Sequence, residues 1–277
     1  MLELRQQFPL AGLLRIAGLP RSTFYYQQQA LAGEDKHRDL KASIRSIFDQ
    51  HKGLYGYRRV TAALREAGHV VNHKTVQRLM CQMQLRSRVR VKKFRRFAGQ
   101  GSHFAPDLLK RDFAASGPNE KWVTDVTEFS VGQRKLYLSP IMDLYNGEIV
   151  AYDTSDSPAL GMVENMLNRA FERLGPRDRP ILHSDQGWQY QMSKYHRHLE
   201  QRSLSPSMSR KGNCLDNAAM ESFFGTLKSE FFYLHEFDSI EQLATGIDDY
   251  IRYYNEKRIK TRLKTSPVAF RLREAAV

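Results

Sequence analysis

Three carboxylates stand out for the chemistry they could share: Asp125, Asp185 and Glu221. Asp125 sits in the alternating stretch Trp122 to Phe129, Asp185 closes the short apolar run that begins at Pro180, and Glu221 lies on a helical stretch from Asn217 to Phe231. At about 100° per residue, Glu221 shares a helix face with Asn217, Gly225 and Lys228, away from the stripe of Met220, Phe223, Leu227 and Phe231. Singly, each acid reads as an edge or surface residue. Together, in a chain with no Cys/His cluster, they make an oxygen-only donor set suited to hard cations such as Mg²⁺. Two such ions would activate a nucleophile and stabilise the leaving oxygen of a phosphodiester.

The surrounding pattern predicts how the acids are held. Trp122 to Phe129, Lys135 to Leu144 and Glu148 to Asp153 read as three antiparallel strands joined by turns at Gly132-Gln133 and Asn146-Gly147. A helix over Gly161 to Leu174, a buried strand at Pro180 to Asp185, a helix near Ser193 to Arg202 and a short strand around Ser205 to Ser209 follow. With the Glu221 helix the order is βββαβαβα, an α/β mixed sheet with helices on its faces. Asp125 is then expected mid-strand, and Asp185 at the carboxyl end of a core strand, where open α/β sheets usually place their sites.

Upstream the periodicity is helical throughout. Leu10 to Ala17, a turn at Gly18-Leu19-Pro20 and a restart capped by Ser22 form a first helix-turn-helix-like segment, residues 1–35. Residues 36–96 hold three more helices, the last over about His73 to Leu85 with Asn72 as its cap. Val76, Leu79, Met80 and Met83 turn inward, leaving His73, Lys74, Gln77 and Arg78 outward, an arrangement that fits a major groove and, from the pattern alone, equally a protein-docking bundle. A run of cations with no acid follows, including Arg86, Arg88, Arg90, Lys92 and Lys93, and it favours phosphate contact. Residues 97–118 read as a linker, 119–235 as the acid-bearing core and 236–277 as a helical extension that Ser266-Pro267 should stop.

Charge is divided in the same way. The 277-residue chain carries a formal +13, and residues 1–112 hold 22 Lys/Arg against 8 Asp/Glu, so the excess belongs to the helical front. That asymmetry is expected of an attached nucleic-acid-binding module. A hydrophobic content of 41% excludes a disordered chain, and a mean hydropathy of −0.56 with no long apolar run argues against a membrane protein. Two distant cysteines suggest neither a disulfide framework nor a structural zinc site, so a reducing cytoplasm is expected.

The segments Lys121-Trp-Val-Thr-Asp125-Val-Thr, His183-Ser-Asp185-Gln-Gly and Asn217-Ala-Ala-Met-Glu221-Ser, with 35 residues between the last two acids, closely resemble the DDE motif of retroviral-type integrases and insertion-sequence transposases. The run from Ser209 to Asn217, Lys228 seven residues past Glu221, Tyr254-Asn255 to Arg258 and Ser266-Pro267 are similar to the OrfB transposases of the insertion sequence three family. Pro20-Arg-Ser-Thr-Phe-Tyr-Tyr26 and Tyr55-Gly-Tyr-Arg-Arg59 look like that family's helix-turn-helix regions, so the resemblance covers nearly the whole chain.

The resemblance implies an RNase H-like integrase catalytic core in which Asp125, Asp185 and Glu221 hold two Mg²⁺ or Mn²⁺ ions. It implies cleavage at the ends of an insertion sequence and strand transfer by the freed 3′-hydroxyl, that is, DNA transposition by integration and recombination. Lys228 and Asn217 would approach DNA and His183 would support the acids from behind. The implied partners are double-stranded DNA of the terminal inverted repeats and target, a second copy of the chain on DNA, and an upstream-frame OrfA product or OrfAB fusion. No membrane is implied, and a bacterial, nucleoid-associated cytoplasmic location fits. Two other readings remain open from the residues: an RNase H-like nuclease or junction resolvase, and a DNA-binding regulator with a dead core. The regulator would need one acid missing, and all three are present.

Overall fold

The computed structural model describes residues 3–32, 35–89, 105–110, 112–209 and 217–275. Helices α1 (Leu10–Ile16) and α2 (Arg21–Ala32) flank a turn in which Gly18 adopts φ 62°, a conformation that favours glycine. Ser22 was expected to cap α2; the helix begins one residue earlier, at Arg21, so Ser22 falls inside its first turn.

Helices α3 (Arg38–Gln50), α4 (Tyr57–Glu66) and α5 (His73–Gln82) enclose one apolar core of Ile44, Phe48, Val60, Leu64, Val76 and Leu79. Asn72 caps α5 as expected, its Oδ1 accepting the Lys74 N–H at 2.9 Å. The helix stops at Gln82 rather than Leu85. Gln84, at φ 56°, reverses the chain there, and the reversal returns Leu85 to the core.

The sheet contains β1 (Lys121–Thr124), β2 (Thr127–Val131), β3 (Arg134–Asp143) and β4 (Ile149–Ser155), then, after α6 (Leu160–Phe171), β5 (Ile181–Ser184). Helices α7 (Trp188–Gln191), which the periodicity did not predict, and α8 (Ser193–Glu200) lead to β6 (Ser205–Met208). Strands β1 and β2 both pair antiparallel with β3, in one continuous register that runs from Trp122↔Asp143 to Thr127↔Leu138 and beyond. They are one long strand interrupted at Asp125-Val126. Across the sheet the order is β4, β3, the β1/β2 strand, β5, β6, with β5 parallel to β1 and β6 parallel to β5.

Asp125 is therefore not mid-strand, as expected, but in the interruption. The cause lies opposite it. Register places Pro140 across from Asp125, and proline has no N–H to complete the ladder. The Pro140 carbonyl instead accepts the Thr124 hydroxyl at 2.9 Å.

Helices α9 (Ala218–Glu230) and α10 (Ile240–Glu256) cover one face, packing Met220, Phe223, Leu227, Leu243 and Ile247 on Val123, Phe129 and Leu138. The other face is covered by α6 and α8, where Val163, Met166, Leu167, Tyr195 and Leu199 meet Trp122, Ile141 and Leu182. Burial of large side chains like these contributes about 1.5–3 kcal/mol each. Pro267 was expected to end the closing helix. Instead α10 ends at Glu256 and Pro267 opens a further helix, α11 (Pro267–Ala275), where its fixed φ and missing N–H suit a first position. Among the described residues no helix is long and apolar enough to cross a membrane.

Candidate active site

Asp125 and Asp185 face one cavity of about 240 Å³, which Thr127, Glu128, Tyr137, Gln189 and Tyr190 also line. The interruption delivers Asp125, and the end of β5 at Ser184 delivers Asp185 on the next residue. Each carboxylate is fixed by one backbone donor: Val126 N–H to Asp125 Oδ1 at 2.7 Å, and Gly187 N–H to Asp185 Oδ1 at 2.8 Å. The second oxygen of each has no hydrogen bond within the described residues.

Both acids are held toward their neutral forms. Burial, the charge of Asp185 and then the charge of Glu221 raise Asp125 to about 8, opposed by the Val126 N–H and Lys228. Burial raises Asp185 as well. A site that resists its own negative charge is stabilised by a bound cation, and its donors are all oxygens, so the residues present fit a hard divalent ion.

Glu221 is carried on α9, which is tied to the sheet on either side of it. Asn217 Nδ2 donates to the Thr124 carbonyl at 3.2 Å, and Lys228 Nζ donates to Thr127 Oγ1 at 2.8 Å. The two anchors bracket Asp125 in sequence and Glu221 in the helix. Glu221 itself is exposed, as its helix face predicts, and does not line the cavity. Among the described residues no three His, Cys, Asp or Glu side chains are gathered closely enough to hold a metal. The fold thus fixes two acids in one cavity and brings the third near enough to act on Asp125 by its charge.

Asn217 was expected near DNA. Its side chain is buried and makes no cap hydrogen bond, spending its amide on β1 instead. Lys228 lies 5.0 Å from the centre of the Phe129 ring, and its charge reaches Asp125. His183 is fully buried, with Nδ1 2.8 Å from Ser207 Oγ, joining β5 to β6 behind the acids.

Lys74, Gln77 and Arg78 are exposed on α5, and Arg86 and Arg88 are exposed beyond it. Arg90, Lys92 and Lys93 lie outside the described residues. Sequence reasoning missed Tyr190, which is buried beside both acids with its hydroxyl 3.3 Å from Thr124 Oγ1. Its position in α7, three residues past Gly187, was the available signal.

Residues 115–214 match the family described as "Integrase core domain", residues 34–93 an "HTH-like domain" and residues 221–274 a second "Integrase core domain". The chain is 53% identical over 270 residues to the "Putative transposase InsK for insertion sequence element IS150" of Escherichia coli K12, covering 97% of this chain and 95% of that protein. It is 43% identical to the "Probable transposase for insertion sequence element IS1353" of Shigella flexneri, across 97% of this chain but 53% of that one. It is 32% identical to "Transposase InsF for insertion sequence IS3A" of Escherichia coli K12, covering 91% and 90% respectively. Among solved structures, the HTLV-2 integrase catalytic core domain in complex with magnesium aligns with a TM-score of 0.46 at 16% identity, covering 57% of this chain and 99% of that one. A simian T-cell lymphotropic virus intasome chain aligns at 0.49 and 15%, covering 74% and 68%.

Proposed function

This chain belongs to the insertion-sequence transposases of the IS3 family, with an integrase core and a helix-turn-helix-like module, and we propose that it cuts the ends of its element and joins them to target DNA. The observation that carries this reading is the shared cavity of Asp125 and Asp185, whose carboxylates are disfavoured as anions until a cation arrives.

Asp125 and Asp185 would hold the ions from their shared cavity, and Glu221 would complete the donor set from a helix tied to the sheet at Asn217 and Lys228. Two divalent ions, Mg²⁺ or Mn²⁺, would supply Lewis acidity and acidify the attacking oxygen. In the first step a water oxygen bonds to phosphorus at the element end and a 3′-hydroxyl leaves. In the second, that 3′-oxygen bonds to a target phosphorus and displaces one strand's oxygen. Lys228 offers its ammonium to a phosphate beside Thr127, and the Val126 and Gly187 N–H groups keep the two aspartates from turning away. His183 holds β5 against β6 and so fixes the strand that ends at Asp185.

End recognition falls to the face of α5 carrying Lys74, Gln77 and Arg78, with Arg86 and Arg88 beside it and Arg90, Lys92 and Lys93 continuing the basic run. We assign the segments 1–35 and 36–96 to DNA binding, 97–118 to a linker, 119–235 to catalysis and 236–277 to a C-terminal extension. Two or more copies on DNA, and an upstream-frame product, are the expected partners, in a bacterial nucleoid.

The test is strand transfer of a labelled 3′-hydroxyl end into target DNA with Mg²⁺ or Mn²⁺, repeated with Asp185→Asn. Joined product from the wild type alone supports the reading. Cutting without joining supports the nuclease alternative instead, and metal-independent products refute both.

A further inference from the structure

The motif Tyr55-Gly-Tyr-Arg-Arg59 belongs by sequence to the helix-turn-helix region, yet two of its side chains meet residues far along the chain, Glu230, Lys257 and Ile259. Arg59, on α4, reaches Glu230 with Nη1 3.0 Å from Oε1. Glu230 is the last residue of α9, the helix that carries Glu221. Arg258 grips the same carboxylate through Nε and Nη2, both at 2.7 Å, and Tyr250 donates its hydroxyl to Oε2 at 3.0 Å. Glu230 is 4% and Arg258 5% exposed, so this is a buried ion cluster whose partners offset the desolvation of the Glu230 carboxylate.

Tyr55, fully buried, extends the contact. Its hydroxyl donates to the Lys257 carbonyl at 3.2 Å and accepts the Ile259 N–H at 2.7 Å. Ile259 completes the apolar core of α3, α4 and α5. Farther along α4, Glu66 accepts from Arg273 at 2.6 Å and from the Thr265 hydroxyl at 3.2 Å.

We infer that Tyr55 and Arg59 form a latch that fixes the DNA-reading helices to the catalytic core, and that Arg59 is a positioning residue acting through Glu230 on the helix that presents Glu221. The inference rests on the transposase reading above. Glu230 lies nine residues beyond Glu221, about 13 Å along a helix whose rise is 1.5 Å per residue. A helix is stiff over that length, so a shift of its Glu230 end displaces Glu221. The carboxylate takes two guanidinium groups from different parts of the chain, so neither Arg258 nor Tyr250 alone can report where the DNA-reading helices sit. Arg59 alone among its partners comes from them.

The experiment compares wild type with Arg59→Met, Arg59→Lys and Tyr55→Phe in the full chain, using a fluorescent duplex cut from the element's own end. Three quantities are read: duplex affinity, the single-turnover rate of end cleavage, and the radius of gyration from solution scattering. Arg59→Met should leave affinity within about twofold, lower the cleavage rate by tenfold to about a hundredfold, as misplacement of a catalytic group does, and enlarge the radius. Arg59→Lys should recover part of the rate. Unchanged rate and radius overturn the inference, as does affinity that falls in step with rate, which would make Arg59 a DNA contact. If Arg59→Met does not fold, Tyr55→Phe, which loses only a hydroxyl, decides by the same readings. An inactive wild type would instead count against the transposase reading, and the radius would then judge the latch alone.

Discussion

The N–H of Gly187 donates to Oδ1 of Asp185 across 2.8 Å, and a Cβ built on that glycine would stand 2.9 Å from the same oxygen. The absence of a side chain at 187 is thus part of how the aspartate is aimed. Gly187→Ala should displace the carboxylate or break its backbone bond. We expect strand transfer to fall by about a hundredfold, as small misplacements of a reacting group do, with a stability loss of about 1–3 kcal/mol from overpacking near Tyr190. Steady-state rates and denaturant melts check both; full activity would show that the aspartate's aim tolerates movement.

Metal-free, the cavity should be a weak point of the fold. Asp125 is raised to about 8 by burial and by its acidic neighbours. Asp185→Asn removes one of those charges while keeping the shape. In chelator the variant should melt roughly 2–4 °C above wild type, the shift expected of about 1 kcal/mol in a protein this size, while its strand transfer disappears. A variant that melts lower would mean that the charge of Asp185 is compensated without any ion.

Divalent ions should reverse that order. Saturation of the wild type with Mg²⁺ or Mn²⁺ to about one hundred times its dissociation constant adds about 2.7 kcal/mol to stability by mass action. The melting temperature should climb with ion concentration in the wild type and stay nearly flat in Asp125→Asn. Parallel titrations by differential scanning calorimetry separate the outcomes, and equal shifts in both proteins would move the ion to another site.

Acid should loosen the joint between α3 and the closing segment. The His51 ring stacks on Tyr55 at 3.7 Å and meets Tyr253 OH at 3.2 Å. Burial, with Arg59 and Lys257 nearby, lowers it from 6.5 to about 4. The unfolded chain therefore takes the proton first, so stability is fully present above about pH 6.5 and is lost as pH falls toward 4. The loss reaches at most about 1.4 kcal/mol per pH unit for this one group. Comparison with His51→Gln isolates it: the wild type should show the steeper decline of melting temperature between pH 6.5 and 4, and parallel curves would remove His51 as the cause.

The sequence was most legible where a residue type and its period agree. The alternation around Trp122 and the turns at Gly132 and Asn146-Gly147 predicted the meander, and the helical period from Met220 to Leu227 put Glu221 on the open face where it stands. Asn72 announced its helix in the same local way. Harder positions depend on what lies across a strand or a loop. Asp125 looked like a mid-strand residue because Pro140, distant in sequence, is the one that breaks its pairing. Asn217 was expected near DNA, but its amide goes to a carbonyl on another element. Pro267 looked like a stop and begins a helix, because the chain had already ended α10 at Glu256.

By itself the sequence singled out three acids as candidates and determined most of the order of strands and helices and the concentration of positive charge in residues 1–112, since these follow from side-chain chemistry and local periodicity. Only the tertiary structure decided that Asp125 and Asp185 share one cavity while Glu221 stands exposed outside its lining, and that Arg59 closes on Glu230. Those relationships join residues as much as 171 positions apart, and register, packing and the burial of charge settle them only once the chain has folded.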